Sequence, residues 1–269
     1  MDLLSAALLG LVQALTEFLP VSSSGHLVLG EALLGVNGGG AAFEVAVHFG
    51  TLLSVVLVFR RDIARLVSTT LRALTAPSQI GERWRNDADL RLAGAIVLGC
   101  VPAGLVGVLF KDRLEAAFDD PRFVCGALLV TGAILLASRA ARPRGAEVTL
   151  PRAATIGAAQ AVAILPGISR SGSTIAAALF LGVDRDQAAR YSFLLSLPVI
   201  FGATLLKARD LIAAPPPTEE LLALAVGAGV SFVAGIGALV LLLRLVSAGW
   251  FSHFGWYCLA VGLIGLIAL

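Results

Sequence analysis

Apolar residues run along this chain without strand-like alternation, and short polar stretches interrupt them at intervals. Six runs are long enough to cross a bilayer as helices: 43–59, 91–110, 122–138, 190–206, 221–243 and 250–269, the first and fourth near the lower length limit. Four shorter runs, 2–18, 25–35, 153–164 and 172–183, form two pairs. A polar stretch bearing Pro and Gly breaks each pair, "LPVSSSGH" in one and "LPGISRSGST" in the other. Such pairs predict re-entrant hairpins, because irregular backbone at membrane depth must be buried in protein or line a wet cavity. The alternative is one kinked span per pair, but Pro166 and Gly167 followed by Ser-Arg-Ser make a long gap for a simple kink.

The two broken pairs resemble each other. Gln13-Ala14 precedes Leu19-Pro20 and Gly25, and Gln160-Ala161 precedes Leu165-Pro166 and Gly172. The Gln-to-Gly interval is 12 in both, at an offset of 147 residues. One integral membrane domain of two halves is therefore expected: 1–138, with a hairpin at 1–35, and 139–269, with a hairpin at 153–183. Each half adds three spanning helices. Three crossings per half invert the second half, and inverted repeats place sites at the midplane between them. The arginines of 60–91 and of 139–152 put both loops inside, and hence residues 36–42 and both termini outside. The first hairpin then dips from the outer face and the second from the inner face, so their tips can meet.

Composition agrees with a bilayer as solvent: 58% of residues are hydrophobic and 14% charged, with a mean hydropathy of +0.90. In lipid only helices or closed barrels satisfy the backbone, and continuous apolar runs exclude a barrel, so the fold class is all-α, a polytopic helical bundle. A net charge of +2 does not point to a nucleic-acid partner. Cys100, Cys125 and Cys258 lie inside apolar runs and read as inert thiols. Asp2 and the lack of basic residues in "MDLLSAALLG" argue against a cleaved signal peptide.

Candidate chemistry concentrates at the two tips. Ser22, Ser23 and Ser24 precede one helical stretch, and Ser169 and Ser171 precede another. Serine caps helix starts, and a capped start attracts anions through its free amides and dipole. Arg170 is costly at bilayer depth and has no acidic neighbour within 150–183, so it needs Glu17 or a bound anion. Its planar fork suits phosphate. Gln13 and Glu17, four apart, share a helix face, and His26 lies three residues past Ser23. Glu44 and His48, four apart on a spanning helix, can line the cavity or bridge hairpin and bundle; His253 with Trp250, Trp256 and Tyr257 reads as an interfacial anchor. Asp184, Arg185, Asp186 and Arg190 read as a solvated turn. These residues alone indicate a midplane site for phosphate or another anion.

"QALTEFLPVSSSGH" and "PGISRSGST" closely resemble the two signature regions of bacterial undecaprenyl-diphosphate phosphatases, the family associated with bacitracin resistance. The resemblance extends over essentially the whole chain. It implies hydrolysis of a C55 polyprenyl diphosphate to the monophosphate, recycling the lipid carrier of cell-wall synthesis. It also implies a bacterial inner-membrane location, with a site opening to the periplasmic face. By position, the family's functional residues fall on Gln13, Glu17, Ser23, His26, Ser169, Arg170 and Thr174. Many members carry Glu where this chain has Gln13, which weakens a two-carboxylate metal site.

Arg170 with Ser169, Ser171 and Thr174 is expected to cradle the phosphates, and Gln13 and Ser22 to contact them. Ser23 or His26 would attack, or activate water. Glu17 would orient His26, take a proton, or hold a divalent cation, Mg2+ or Ca2+, bridging the diphosphate. The nucleophile, the cation and the oligomeric state, a homodimer included, stay open at this point. A lipid-phosphate flippase would use the same site.

Overall fold

The computed structural model describes residues 1–34, 40–213 and 216–269. The linker 36–42, expected on the outer face, falls mostly outside them. The helices are α1 (Leu3–Phe18), α2 (Ser23–Leu34), α3 (Gly40–Val58), α4 (Arg60–Thr75), α5 (Ile80–Asn86), α6 (Ala88–Leu109), α7 (Lys111–Phe118), α8 (Pro121–Ala137), α9 (Leu150–Val162), α10 (Arg170–Phe180), α11 (Arg185–Ala213), α12 (Leu221–Ser247) and α13 (Phe254–Ala268).

The segments containing α6, α8, α11, α12 and α13 are each long and apolar enough to cross a bilayer. A sixth crossing is reached when α3 is taken with α4, from which it is bent by 78°. Their outer faces are greasy: Val97, Val108, Val233 and Ile267 are 68–79% exposed. A soluble protein does not leave apolar surface on that scale in water. The protein is a polytopic helical membrane bundle.

The stretch 60–91, read from its arginines as a loop, is mostly helix. In α4, Ile63, Leu66, Thr70 and Ala73 recur three to four residues apart and turn inward, while Val67, Leu71 and Leu74 stay exposed. That pattern is an amphipathic helix, with its inward face on the bundle. Arg190, expected in a solvated turn, instead lies on α11 and ties it to α4 by donating to both oxygens of Asp62 at 2.8 and 2.9 Å.

Helices α1, α2, α9 and α10 have only 16, 12, 13 and 11 residues. The longest rises about 24 Å, short of a hydrocarbon core of about 30 Å. Of these, α1 packs on α12 and α9 packs on α6. Both contacts are made at glycines. A Cβ on Gly10 would sit 2.6 Å from the Gly227 carbonyl oxygen, and one on Gly157 would sit 2.8 Å from the Cα of Gly99. Small residues let backbones approach where lipid offers no hydrophobic drive for helix pairing. The Ser231 hydroxyl also donates to the Gly10 carbonyl at 2.8 Å.

Beneath the first tip, Phe18 meets Phe193 of α11 edge-on at 5.9 Å, and Phe193 stacks near Phe59 at 6.3 Å. All three are buried, which fixes the end of α1 where Glu17 projects.

Candidate functional site

Each short helix of the second arm starts with a serine cap. The Ser22 hydroxyl accepts from the Gly25 amide at 3.3 Å, and the Ser169 hydroxyl from the Gly172 amide at 3.1 Å. The turns preceding them use left-handed backbone, at Ser22 (φ 69°) and Gly167 (φ 90°). The two tips touch: a Cβ on Gly25 would lie 3.3 Å from the Cα of Gly167.

Glu17 stands at this junction and joins both tips. Its Oε1 accepts from Arg170 Nη2 at 2.6 Å. Its Oε2 accepts from the Ser23 hydroxyl at 2.6 Å and from Gln13 Nε2 at 3.2 Å. His48 Nε2 lies 3.9 Å from the same oxygen. The Glu17 side chain is 9% exposed and that of Arg170 16%, so the ion pair is shielded but not sealed. Among the described residues, two buried atoms here lack a partner: Arg170 Nη1, a donor, and Gln13 Oε1, an acceptor. Buried polar groups are normally satisfied, so the pair leaves an acceptor wanted at Arg170 and a donor wanted at Gln13.

His26 does not join this junction. Its Nδ1 donates to the Ser22 carbonyl at 2.8 Å, so Nε2 is left to accept from the Tyr257 hydroxyl at 2.7 Å. The two rings lie nearly parallel, 5.6 Å apart. The expected contact by which Glu17 orients His26 is replaced by these two, because Ser23 and His26 diverge around the first turn of α2, one toward α1 and the other toward α13. His48, read from sequence only as a cavity-lining residue, is the histidine beside Glu17. Glu44 on the same helix accepts from Lys207 at 2.7 Å.

Thr174 donates to the Arg170 carbonyl at 2.8 Å and shares a 2.5 Å hydrogen bond with Ser192 of α11, so it braces α10. Ser171 and Ser169 hydroxyls lie 3.3 Å apart, both buried. Sequence reading passed over Thr131. Its hydroxyl donates to the Gly167 carbonyl at 2.8 Å and accepts from the Ser169 amide at 3.0 Å, pinning the second tip to α8. A threonine within an apolar run carries little signal by itself. Thr131→Val keeps the shape and strands both backbone groups, at a cost of about 1–3 kcal/mol each. Thermal unfolding of the detergent-solubilised variant should show the loss, with turnover falling in parallel.

A cavity of about 320 Å³, lined by residues including Ser24, Glu44, His48 and Asp119, adjoins the junction. Among the described residues no three His, Cys, Asp or Glu side chains cluster as a metal site. Glu17 with the unpartnered Gln13 Oε1 is an all-oxygen pair. Such a pair fits a hard divalent cation only if the remaining ligands come from water and substrate phosphate.

Residues 6–264 match the family model described as bacitracin resistance protein BacA. The chain is 44% identical over 264 residues to the "Undecaprenyl-diphosphatase" of Salinibacter ruber, with 97% of each chain covered. The protein of that name from Desulforapulum autotrophicum is 42% identical over 274 residues, covering 100% of this chain and 99% of its own. One from Methanosphaera stadtmanae is 38% identical over 276 residues, covering 99% and 98%.

Proposed function

The chain belongs to the bacitracin resistance protein BacA family, and on that premise we propose the chemistry of its junction. It is an integral membrane phosphatase that hydrolyses undecaprenyl diphosphate to undecaprenyl phosphate and inorganic phosphate, recycling the lipid carrier of peptidoglycan synthesis. The observation that carries the site is the meeting of Glu17, Ser23 and Arg170 from two sequence-distant tips, with Arg170 Nη1 unpartnered.

In our reading Arg170 receives the diphosphate through Nη1 and offsets the charge that spreads over the phosphoryl oxygens during transfer. Ser23 Oγ attacks the terminal phosphorus, and its proton passes to Glu17, already 2.6 Å away. The bond to the bridging oxygen breaks, and undecaprenyl phosphate leaves. Water then cleaves the phosphoserine, restoring Ser23 and releasing phosphate. Both His26 nitrogens are committed elsewhere, which favours Ser23 as the nucleophile. Ser169 and Ser171 shape the second tip around Arg170, and Thr174 braces it. Glu17 and Gln13 Oε1 would hold a divalent cation, Mg2+ or Ca2+, which would neutralise diphosphate charge.

The equivalent glycine crossings of α1 on α12 and α9 on α6, at Gly10 and Gly157, 147 residues apart, support the inverted-repeat reading with two re-entrant hairpins. The 320 Å³ cavity is lined by Gly40 and by Phe118 and Asp119, at helix ends that the loop charges place outside. We therefore place the protein in the inner membrane with this mouth on the periplasmic face.

Purified protein in detergent, given undecaprenyl diphosphate, should release phosphate and leave the lipid monophosphate. Detergent offers no second compartment, so a flippase without hydrolysis would release none, and that result would overturn the assignment. Glu17→Gln should slow turnover about 10²–10⁴-fold. A phosphoserine trapped on Ser23, read by mass spectrometry, identifies the nucleophile; normal turnover by Ser23→Ala would exclude it.

A further inference from the structure

A second polar cavity, of about 280 Å³, lies where α8 ends and α11 begins. Arg139, Arg185, Ser138, Ser252 and His253 line it. Arg139 Nε donates to the Ser252 hydroxyl at 3.2 Å, and its guanidinium sits 5.9 Å above the Trp256 ring. The Arg185 guanidinium lies over Gly249, which has φ 83°; a Cβ there would meet its Cζ at 3.6 Å. Among the described residues neither guanidinium comes within 4 Å of a carboxylate. The nearest acidic residues in sequence have other partners: Asp184 accepts from the Gly145 amide at 3.2 Å, and Asp186 from the Ser247 hydroxyl.

Next to it lies a mainly apolar cavity of about 590 Å³, lined by residues including Leu15, Leu19, Leu245 and Phe254, with His26 and Tyr257 on its wall toward the first tip. His253 borders both cavities. Trp250, which lines the apolar cavity, and Trp256, beneath Arg139, are 56% and 57% exposed, as suits indoles among lipid headgroups.

We propose that these adjacent cavities, which share His253 as a wall, bind one anionic phospholipid of the inner leaflet, its phosphate between Arg139 and Arg185 and an acyl chain in the apolar cavity. Basic pockets between helices on the cytoplasmic side suit lipid phosphate, and the positive-inside bias of the 139–152 arginines puts this end there. Both arginines are exposed, so a free phosphate held by them alone would be weakly retained. The adjoining apolar cavity gives a lipid a second hold that inorganic phosphate lacks. Neither arginine belongs to the Glu17–Arg170 junction, so this site stands or falls apart from the hydrolytic reading.

The test is native mass spectrometry of protein released from nanodiscs of mixed phosphatidylglycerol and phosphatidylcholine. The wild type should retain phosphatidylglycerol over phosphatidylcholine by about five-fold or more, and R139Q/R185Q should lose that preference. Leu245→Trp, which fills the apolar cavity, should lower retention with both arginines intact. Phosphate release in detergent serves as the folding control. If the double variant fails to fold, the single R185Q decides. Unchanged preference in the folded variant overturns the proposal. So does displacement of the lipid by millimolar inorganic phosphate, or preferential retention of polyprenyl monophosphate added to the same discs.

Discussion

Arg170→Ala should abolish phosphate release, lowering kcat by about 10³-fold or more, while the bundle still folds. The guanidinium has one nitrogen on Glu17 and, among the described residues, another buried without a partner, so it is placed to meet phosphate directly. Its loss also takes from the Glu17 carboxylate the guanidinium that bonds Oε1. Breaking one half of a buried pair costs about 3–5 kcal/mol. Ser23 and Gln13 remain bonded to Glu17, which limits the damage to the fold. Circular dichroism should therefore stay helical, with a lower thermal midpoint. Arg170→Lys should recover stability more than turnover, because an ammonium restores charge but not the two-pronged geometry. Turnover of Arg170→Ala within ten-fold of wild type would remove the phosphate clamp.

Gly167→Ala should be nearly as damaging by another route. Its φ of 90° disfavours any residue with a side chain. A methyl there would lie 2.6 Å from the Cβ of Ala127 and would also overlap the Val124 carbonyl. Backbone on a packed helix cannot move aside cheaply, so strain and overpacking add to about 2–5 kcal/mol. The second tip would shift away from α8, breaking the bonds to Thr131 and carrying Ser169 and Arg170 with it. Thermal midpoint and turnover should fall together. Gly104→Ala, facing open space, is the matched control. An unchanged midpoint for Gly167→Ala would show that the tip tolerates displacement.

Much of this site was legible in the chain because its parts are local. A serine before a small-residue helical start is a cap wherever it occurs, and both tips cap as their residues require. An arginine in an apolar run demands an anion, and Glu17 is its partner across 153 residues. The amphipathic α4 was missed because its arginines outweighed its apolar periodicity.

Assignment of the histidines was beyond the sequence. Ser23 and His26 are three residues apart, which suggested one site. On a helix that spacing still turns the side chains about 60° apart. Whether both face one cavity depends on which helices flank α2, and α13, which holds Tyr257, lies 231 residues further on. Thr131 escaped notice for a related reason: its two bonds exist only once the second tip lies against α8.

The chain by itself determined that the protein lives in a bilayer, where its long apolar helices run, and which residues could not remain in lipid unpartnered. Those properties follow from transfer free energies and from backbone bonds made within a few residues. The tertiary structure alone decided which unpartnered groups meet, because glycine-to-glycine crossings between distant helices set the distances, and no local pattern encodes those.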